Sequence, residues 1–341
     1  MAANRVGLMG FGRIGRNVFR LLYKRSDMQI GAISDIADGP GLEYLLRFDT
    51  LLGRFPDEVS IKDGSLYVYG KQITMLCNQE RGAIPPWGDL GVDTVLEATA
   101  RKLSRAELEK HLAAGAKRVI LCSPPSEPLD LTVVLGVNDD KLQASHRIVS
   151  NASSTVHCIA PILRILIDAF GVERALFTTM HAYTNQHRLA DVPTEDKRRG
   201  RAAAENIIPQ ESRSPAMLLE LLPELQGKLL GSAMNVPVRN GSVVDLVCWH
   251  ERKITVDAIN EVVRTAAASR WKGIVAYQDE PIVSSDVVQS NESCTFDSLA
   301  TMKMGDRMSK TLSWYDAGWG YANRVVDLVE RFVELDRGVA K

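Results

Sequence analysis

The glycines at positions 10, 12 and 15 constrain what this 341-residue chain can fold into more than any other feature. Val6-Gly7-Leu8-Met9 has the short, apolar character of a buried strand, and Gly10-Phe11-Gly12-Arg13-Ile14-Gly15 follows at once. Ile14, Val18, Leu21 and Leu22 then recur at helical spacing. The glycines therefore fall where a strand turns into a helix. In that context they allow a tight turn, close approach of the backbone to a pyrophosphate and close helix packing, with the phosphates at the helix N-terminus. Gly10, Gly12, Arg13, Ile14 and Gly15 are accordingly expected to bind a dinucleotide.

A second strand, Gln29–Ile33, ends at Ser34-Asp35, about 20 residues past the glycines, where this arrangement needs a carboxylate for the adenosine ribose 2′-OH. A carboxylate there repels a 2′-phosphate, so NAD is favoured over NADP. The competing reading of Asp35 is an ordinary turn or cap aspartate. The alternation continues with Thr94–Glu97 as a strand, Ser104–Ala114 as a helix, and Val119–Cys122, Thr132–Val137 and Ile148–Val149 as further strands. Strands alternating with helices of this length imply a parallel sheet covered on both faces, an α/β Rossmann dinucleotide-binding domain. Phe48–Thr74, rich in Gly and polar residues with short β-like runs, reads as an insertion.

Ser150–Pro161, S-N-A-S-S-T-V-H-C-I-A-P, is the candidate reactive stretch. It follows the apolar Arg147-Ile148-Val149 and leads into Cys158, Ile159, Ile162, Leu163, Leu166 and Ile167 at helical spacing. A helix N-terminus carries unpaired backbone N–H groups and the positive end of the helix dipole, which suits a reactive oxygen or sulfur and a bound anion. The plain alternative is a serine-rich N-cap.

Beyond this helix the pattern changes. Ala175–His181 and Ser232–Glu251 are strand-like, and a polar, basic loop from Tyr183 to Asn206 separates them, with Lys197-Arg198-Arg199 and Arg201. Long strands with long connections predict an α+β catalytic domain with a mixed or antiparallel sheet. Ala322–Val339 reads as an amphipathic helix packing back on the first domain. The expected organisation is an NAD domain over 1–152, a substrate domain over 153–319 and a C-terminal helix over 320–341.

A net charge of −1 leaves no electrostatic footprint for nucleic acid or an acidic membrane surface. The five cysteines are odd in number and widely spaced, with no C-x-x-C, so neither a disulfide framework nor a zinc site is expected. With no signal peptide or membrane-length apolar run, a cytoplasmic protein is expected.

G-F-G-R-I-G-R at the start, S-N-A-S-x-T-x-x-C-x-A-P at 150–161, T-M-H-A-Y-T at 179–184, R-A-A-A-E-N-I-I-P at 201–209 and S-W-Y-D-x-x-W-G-Y-A-N-R at 313–324 together resemble phosphorylating glyceraldehyde-3-phosphate dehydrogenase. The likeness runs over essentially the whole chain. Leu90–Glu97 and Leu129–Ser153 look even more like the related erythrose-4-phosphate dehydrogenases. The resemblance implies a homotetramer that oxidises an aldose phosphate with NAD through a covalent thioester, which inorganic phosphate then cleaves. It puts the nucleophilic cysteine at Ser154 and the general base at His181. Ser153, Thr155, Thr184 and Arg199 match residues lining the phosphate sites, and Tyr321 and Ser123 fall on the cofactor side.

Several positions depart from the family pattern. A serine at 154 would give an ester in place of a thioester, and its hydroxyl is far less acidic than a thiol of pKa about 8.5. Such a form should bind substrate but oxidise it poorly. The phosphate-binding arginine falls on Asn235, the Thr-Gly-Ala phosphate loop becomes Ser212-Arg213-Ser214, and the nicotinamide-holding asparagine falls on Ala317. Ser212 and Arg213 are retained as phosphate contacts, since Arg213 can move the anion site without abolishing it. Cys158 reads as a small core residue and His157 as a solvent-facing helix residue. The expectation is a dehydrogenase of a phosphorylated aldose whose Ser154 traps substrate. The alternatives are an erythrose-4-phosphate dehydrogenase-like enzyme, or a degenerate NAD-binding homologue without redox activity. A Ser154–His181 acyl hydrolase is disfavoured, because no G-x-S-x-G elbow is present.

Overall fold

The computed structural model describes residues 4–338, so the end of the expected C-terminal helix, from Val339 on, lies outside the described residues. The chain divides into two compact units, one from Met1–Val133, Lys141–Ala152 and Ala322–Lys341, the other from Val134–Asp140 and Ser153–Tyr321.

The first unit begins β1 (Asn4–Met9), α1 (Arg13–Leu22), β2 (Met28–Ser34) and α2 (Gly39–Arg47). The small pair β3 (Phe48–Asp49) and β4 (Gly53–Arg54) follows, then β5 (Val59–Lys62), β6 (Ser65–Val68) and β7 (Lys71–Leu76). Next come β8 (Thr94–Glu97), α3 (Arg105–Ala113), β9 (Arg118–Leu121), β10 (Leu131–Thr132) and β11 (Ile148–Ser150). Nine strands form one sheet in the order β10-β11-β9-β8-β1-β2-β7-β6-β5. The strands from β10 to β7 are parallel, and β5 and β6 extend that edge as an antiparallel meander. The strand order reverses between β1 and β8, the switch point where α/β sheets of this kind bind their ligands. Val18, Phe19 and Leu22 bury the inner face of α1, each worth about 1.5–3 kcal/mol. Ser104 caps α3 through a capping box with Glu107.

The second unit holds α4 (Ser154–Phe170), β12 (Arg174–Ala182), β13 (Ile208–Gln210), α5 (Ser214–Leu221), β14 (Leu229–Val236) and β15 (Ser242–Trp249). It continues with α6 (Val256–Ala268), β16 (Val275–Gln278), β17 (Cys294–Met304) and β18 (Met308–Tyr315). Its mixed sheet runs β13-β14-β12-β15-β18-β17-β16, with β12–β14 and β16–β17 parallel and the remaining pairs antiparallel. Helix α4 packs on β15, β17 and β18, α5 on β14, and α6 on β16 and β17.

Three predicted elements differ. The expected strand Thr132–Val137 ends at Thr132, because Gly136 adopts φ +81° and the Asn138 carboxamide oxygen and the Asp139 carboxylate accept the N–H groups of Val134 and Gly136. Ser232–Glu251 is two strands rather than one run, broken at Pro237–Gly241, where Gly241 has φ +79°. The last helix, α7 (Trp319–Asp336), begins ahead of Ala322. Buried Asp316 causes this by accepting the N–H groups of Gly318 and Trp319, both at 2.7 Å. Farther along α7, Arg118 of β9 lies over the Phe332 ring at 4.6 Å and pairs with Asp336.

Candidate functional site

In the first unit the glycine-rich turn has the shape its spacing demands. Gly10 turns at φ +93°, and a Cβ there would lie 2.9 Å from the backbone of Ala98 and Thr99. A Cβ on Gly15 would meet the Gly10 carbonyl oxygen at 2.2 Å, so that residue is fixed by packing of the helix on the turn. Gly12 is different, since nothing lies within 4 Å of the position its Cβ would take. It is the N-cap of α1, with no side-chain cap and no acidic residue in the first turn. The half-buried Arg13 and Ile14 begin that turn. An open, uncapped, positively polarised helix end of this kind fits a pyrophosphate. Asp35, just past β2, accepts the Phe11 N–H at 2.7 Å through one carboxylate oxygen and the Ala37 N–H at 2.9 Å through the other. It therefore also braces the turn. Ser123 follows β9, and its carbonyl accepts the Ser150 hydroxyl at 2.8 Å.

In the second unit the reactive stretch becomes the start of α4. Ser153 is the N-cap, accepting the Val156 N–H, and Ser154 is the first helical residue, half-buried. The next residue, Thr155, is buried and shares a 2.8 Å hydrogen bond with the Tyr315 hydroxyl at the end of β18. The Tyr315 ring stands edge-on to the His181 ring, 6.0 Å between centroids. Asn235 on β14 is the cross-strand partner of His181 on β12, and the Ser242 hydroxyl on β15 accepts the Ala182 N–H at 3.1 Å. Ser154, His181, Asn235 and Tyr315 thus gather at one end of this sheet.

Burial pushes the Tyr315 phenol well above its ordinary range, so it stays a hydrogen-bonding hydroxyl. His181 Nδ1–H donates to the Ala182 carbonyl at 2.6 Å, so in the neutral ring the lone pair lies on Nε2. Thr184 lies just beyond β12, half-buried, and both its N–H and its hydroxyl donate to His187 Nδ1 at 3.1 Å. Arg199 and Arg213 are exposed. Arg213 sits at the N-terminus of α5, where Ser212 Oγ accepts the Ser214 N–H at 3.2 Å.

Residues 4–105 match the family model for the NAD-binding domain of glyceraldehyde 3-phosphate dehydrogenase, and residues 153–317 match the model for its C-terminal domain. The chain is 46% identical over 327 residues to glyceraldehyde-3-phosphate dehydrogenase of Geobacillus stearothermophilus, covering 96% of this chain and 97% of that one. It is 47% identical over 327 residues to the enzyme of Streptomyces coelicolor (95% and 97% covered). The chain belongs to the glyceraldehyde-3-phosphate dehydrogenase family. It is an NAD-dependent oxidoreductase with a Rossmann-type cofactor domain and a catalytic domain.

Against this family background two residues change their reading. His157 is not solvent-facing: it is 1% exposed, with its ring edge-on to buried Tyr321 at 5.9 Å. The reason is that α4 is buried on every side from Thr155 to Leu163, so helical periodicity alone could not place an outer face there. Cys158 is fully buried, its thiol donating to the Ser313 carbonyl, and burial together with neighbouring Cys294 drives it far from thiolate formation. Ala317 lies in the Asp316 turn that opens α7. His187 and Gln210 are additions that the sequence did not single out. His187 reaches the Asn235 carboxamide, 48 residues away in sequence, and no local spacing signals that meeting. Among the described residues no group of three or more His, Cys, Asp or Glu side chains could hold a metal, and no helix is long and apolar enough to cross a membrane.

Proposed function

We propose that this family member oxidises a phosphorylated aldose with NAD through Ser154 and His181, and that the serine makes it a slow, substrate-retaining form. The arrangement that carries this reading is the Thr155–Tyr315–His181 contact, which brings Ser154 at the head of α4 to the same sheet end as the histidine. Ser154 Oγ attacks the aldehyde carbon while His181 Nε2 takes the hydroxyl proton, giving a hemiacetal. NAD, when bound, supplies the hydride acceptor that converts this adduct to an ester. Uncapped N–H groups at the start of α4 stabilise the oxyanion formed on attack. The penalty lies in the first step, since a serine hydroxyl gives up its proton far less readily than a thiol of pKa about 8.5.

The phosphate contacts are assigned to Ser153, Thr155, Thr184, Arg199, Ser212 and Arg213. The helix end at Arg213 and the two guanidiniums are the chemistry that supports an anion there. Gly10, Gly12, Arg13, Ile14, Gly15, Asp35, Ser123 and Tyr321 are assigned to the cofactor. The substrate is glyceraldehyde 3-phosphate or a close relative such as erythrose 4-phosphate, and inorganic phosphate or water accepts the acyl group. Domains over 1–152 and 153–319, with the C-terminal helix over 320–341, complete the reading. A cytoplasmic homotetramer is also proposed, supported by free cysteines throughout and by the paired, exposed Leu176 and Leu230 on the outer face of β12 and β14.

The test is Ser154→Cys, with NADH formation followed for both sugar phosphates, with and without inorganic phosphate. Turnover by the cysteine form and near silence from the serine form supports the reading. Silence from both, with NAD still bound, would instead establish a cofactor-binding homologue without redox chemistry, a reading that the loss of arginine at Asn235 and of asparagine at Ala317 favours.

A further inference from the structure

A carboxylate is buried at the switch point of the first unit's sheet. Glu97 ends β8, on the far side of β1 from β2, and is 2% exposed. One of its oxygens, Oε1, accepts the Thr99 N–H at 3.0 Å and also the Thr99 hydroxyl. The other, Oε2, lies 3.4 Å from Nε2 of His111 on α3. That histidine is buried as well, and its Nδ1 accepts the Trp87 indole N–H at 2.9 Å. An indole nitrogen can only donate, so Nδ1 carries the lone pair and the single ring proton sits on Nε2. Trp87 thereby makes His111 a neutral donor toward Glu97 rather than a counter-ion. Arg101, two residues past Thr99, pairs with Glu107. Among the described residues no lysine or arginine pairs with Glu97.

Buried charges are ordinarily paired, so a carboxylate met by neutral donors alone points to a positive charge that arrives with a ligand. The location says which charge. Glu97 holds the Ala98–Thr99 backbone, and a Cβ on Gly10 would stand 2.9 Å from the Ala98 carbonyl carbon and from the Thr99 nitrogen. The carboxylate thus backs the turn assigned to the pyrophosphate. With the adenosine ribose at Asp35, past β2, the nicotinamide half of the dinucleotide extends over the ends of β8 and β9. The Glu97 charge acts there: burial raises the thiol pKa of Cys122, just past β9 and next to Ser123, and Glu97 adds to that rise. Oxidised nicotinamide carries a positive charge that hydride transfer removes. A fixed negative charge in a low-dielectric setting attracts the oxidised ring and not the reduced one.

We propose that Glu97, kept without a counter-ion by the Trp87–His111 pair, makes the cofactor site prefer oxidised NAD over NADH, so that hydride transfer itself loosens the cofactor. This rests on the assignment of Asp35 to the adenosine ribose.

The test is calorimetric titration of the full-length chain with oxidised NAD, NADH and ADP-ribose, which lacks the nicotinamide. In the unaltered chain oxidised NAD is expected to bind more tightly than NADH. The reverse order would overturn the proposal, and this measurement depends on no variant folding. Glu97→Gln is expected to weaken oxidised NAD severalfold while NADH and ADP-ribose change by less than about twofold. Equal weakening of all three ligands, or none, would reduce Glu97 to a brace for the turn and overturn the proposal. Thr99→Val keeps the charge and removes one hydroxyl donor, so it is expected to leave the ratio of the NAD and NADH affinities unchanged. A change in that ratio as large as in Glu97→Gln would assign the preference to geometry rather than charge, which also overturns it. Asp35→Asn reports separately on the underlying assignment: if ADP-ribose affinity stays unchanged there, the adenosine does not sit at Asp35 and this proposal falls with that reading.

Discussion

The hydroxyls of Thr155 and Tyr315 lie 2.8 Å apart, both buried, and tie the first turn of α4 to the end of β18. Removing one partner leaves the other without its bond. Tyr315→Phe is therefore expected to cost about 1–3 kcal/mol, read as a lower urea midpoint at unchanged m-value. Adding Thr155→Val should recover part of that loss, because replacing both partners with apolar groups is cheaper than orphaning one. A double variant no better than Tyr315→Phe alone would show that the bond is not what holds the turn.

The glycines of the first turn separate stability from cofactor binding. Gly15→Ala drives a Cβ into the Gly10 carbonyl, so both the melting temperature and NAD affinity should fall. Gly12→Ala meets no protein atom, so stability should change by roughly 0.5 kcal/mol or less while NAD binding weakens severalfold. Calorimetry of the two variants, with and without NAD, distinguishes these outcomes. Unchanged NAD affinity in Gly12→Ala would remove the pyrophosphate from this turn.

Two histidines predict an acid-sensitive fold. Burial lowers the pKa of His187 and of His250 below the ordinary value of 6.5. Both rings are thus harder to protonate in the folded state than in the unfolded one. Their stabilising contribution is complete above 6.5 and is lost as pH falls below it toward their folded values. The melting temperature should drop on going from about pH 7 to about pH 5, and less steeply in His187→Gln. An equal slope in the variant would assign the effect to other groups.

A thiol placed at the head of α4 should be reactive whether or not the enzyme turns over. In Ser154→Cys, the rate of alkylation by iodoacetamide against pH should show an apparent pKa below the ordinary value of about 8.5. His181→Gln in the same background should move that midpoint upward. Buried Cys158, with its thiol turned to Ser313, should remain unlabelled in both.

Locally encoded features were legible in the sequence. The strand Thr94–Glu97, the Ser104 cap and the glycine turn all follow from periodicity, capping chemistry and spacing within a dozen residues. Features set by tertiary neighbours were not. Thr132–Val137 has strand-like composition, yet Gly136 and the Asn138 side chain divert it. The helix face at His157 reads as outer only until α4 is seen to be enclosed. The His187–Asn235–Gln210 chain joins a loop to two strands, and a linear reading sees three unrelated polar residues.

Asp35 carries one further consequence. The carboxylate proposed to favour NAD over NADP is also the acceptor for the Phe11 N–H inside the glycine turn. On that proposal, a change toward NADP could not simply discard this side chain, because the same change would remove the acceptor that braces the glycine turn. Coenzyme preference and the rigidity of the turn would then hang on one side chain, and an engineered switch must supply a new acceptor for Phe11 before it supplies a cation for the 2′-phosphate.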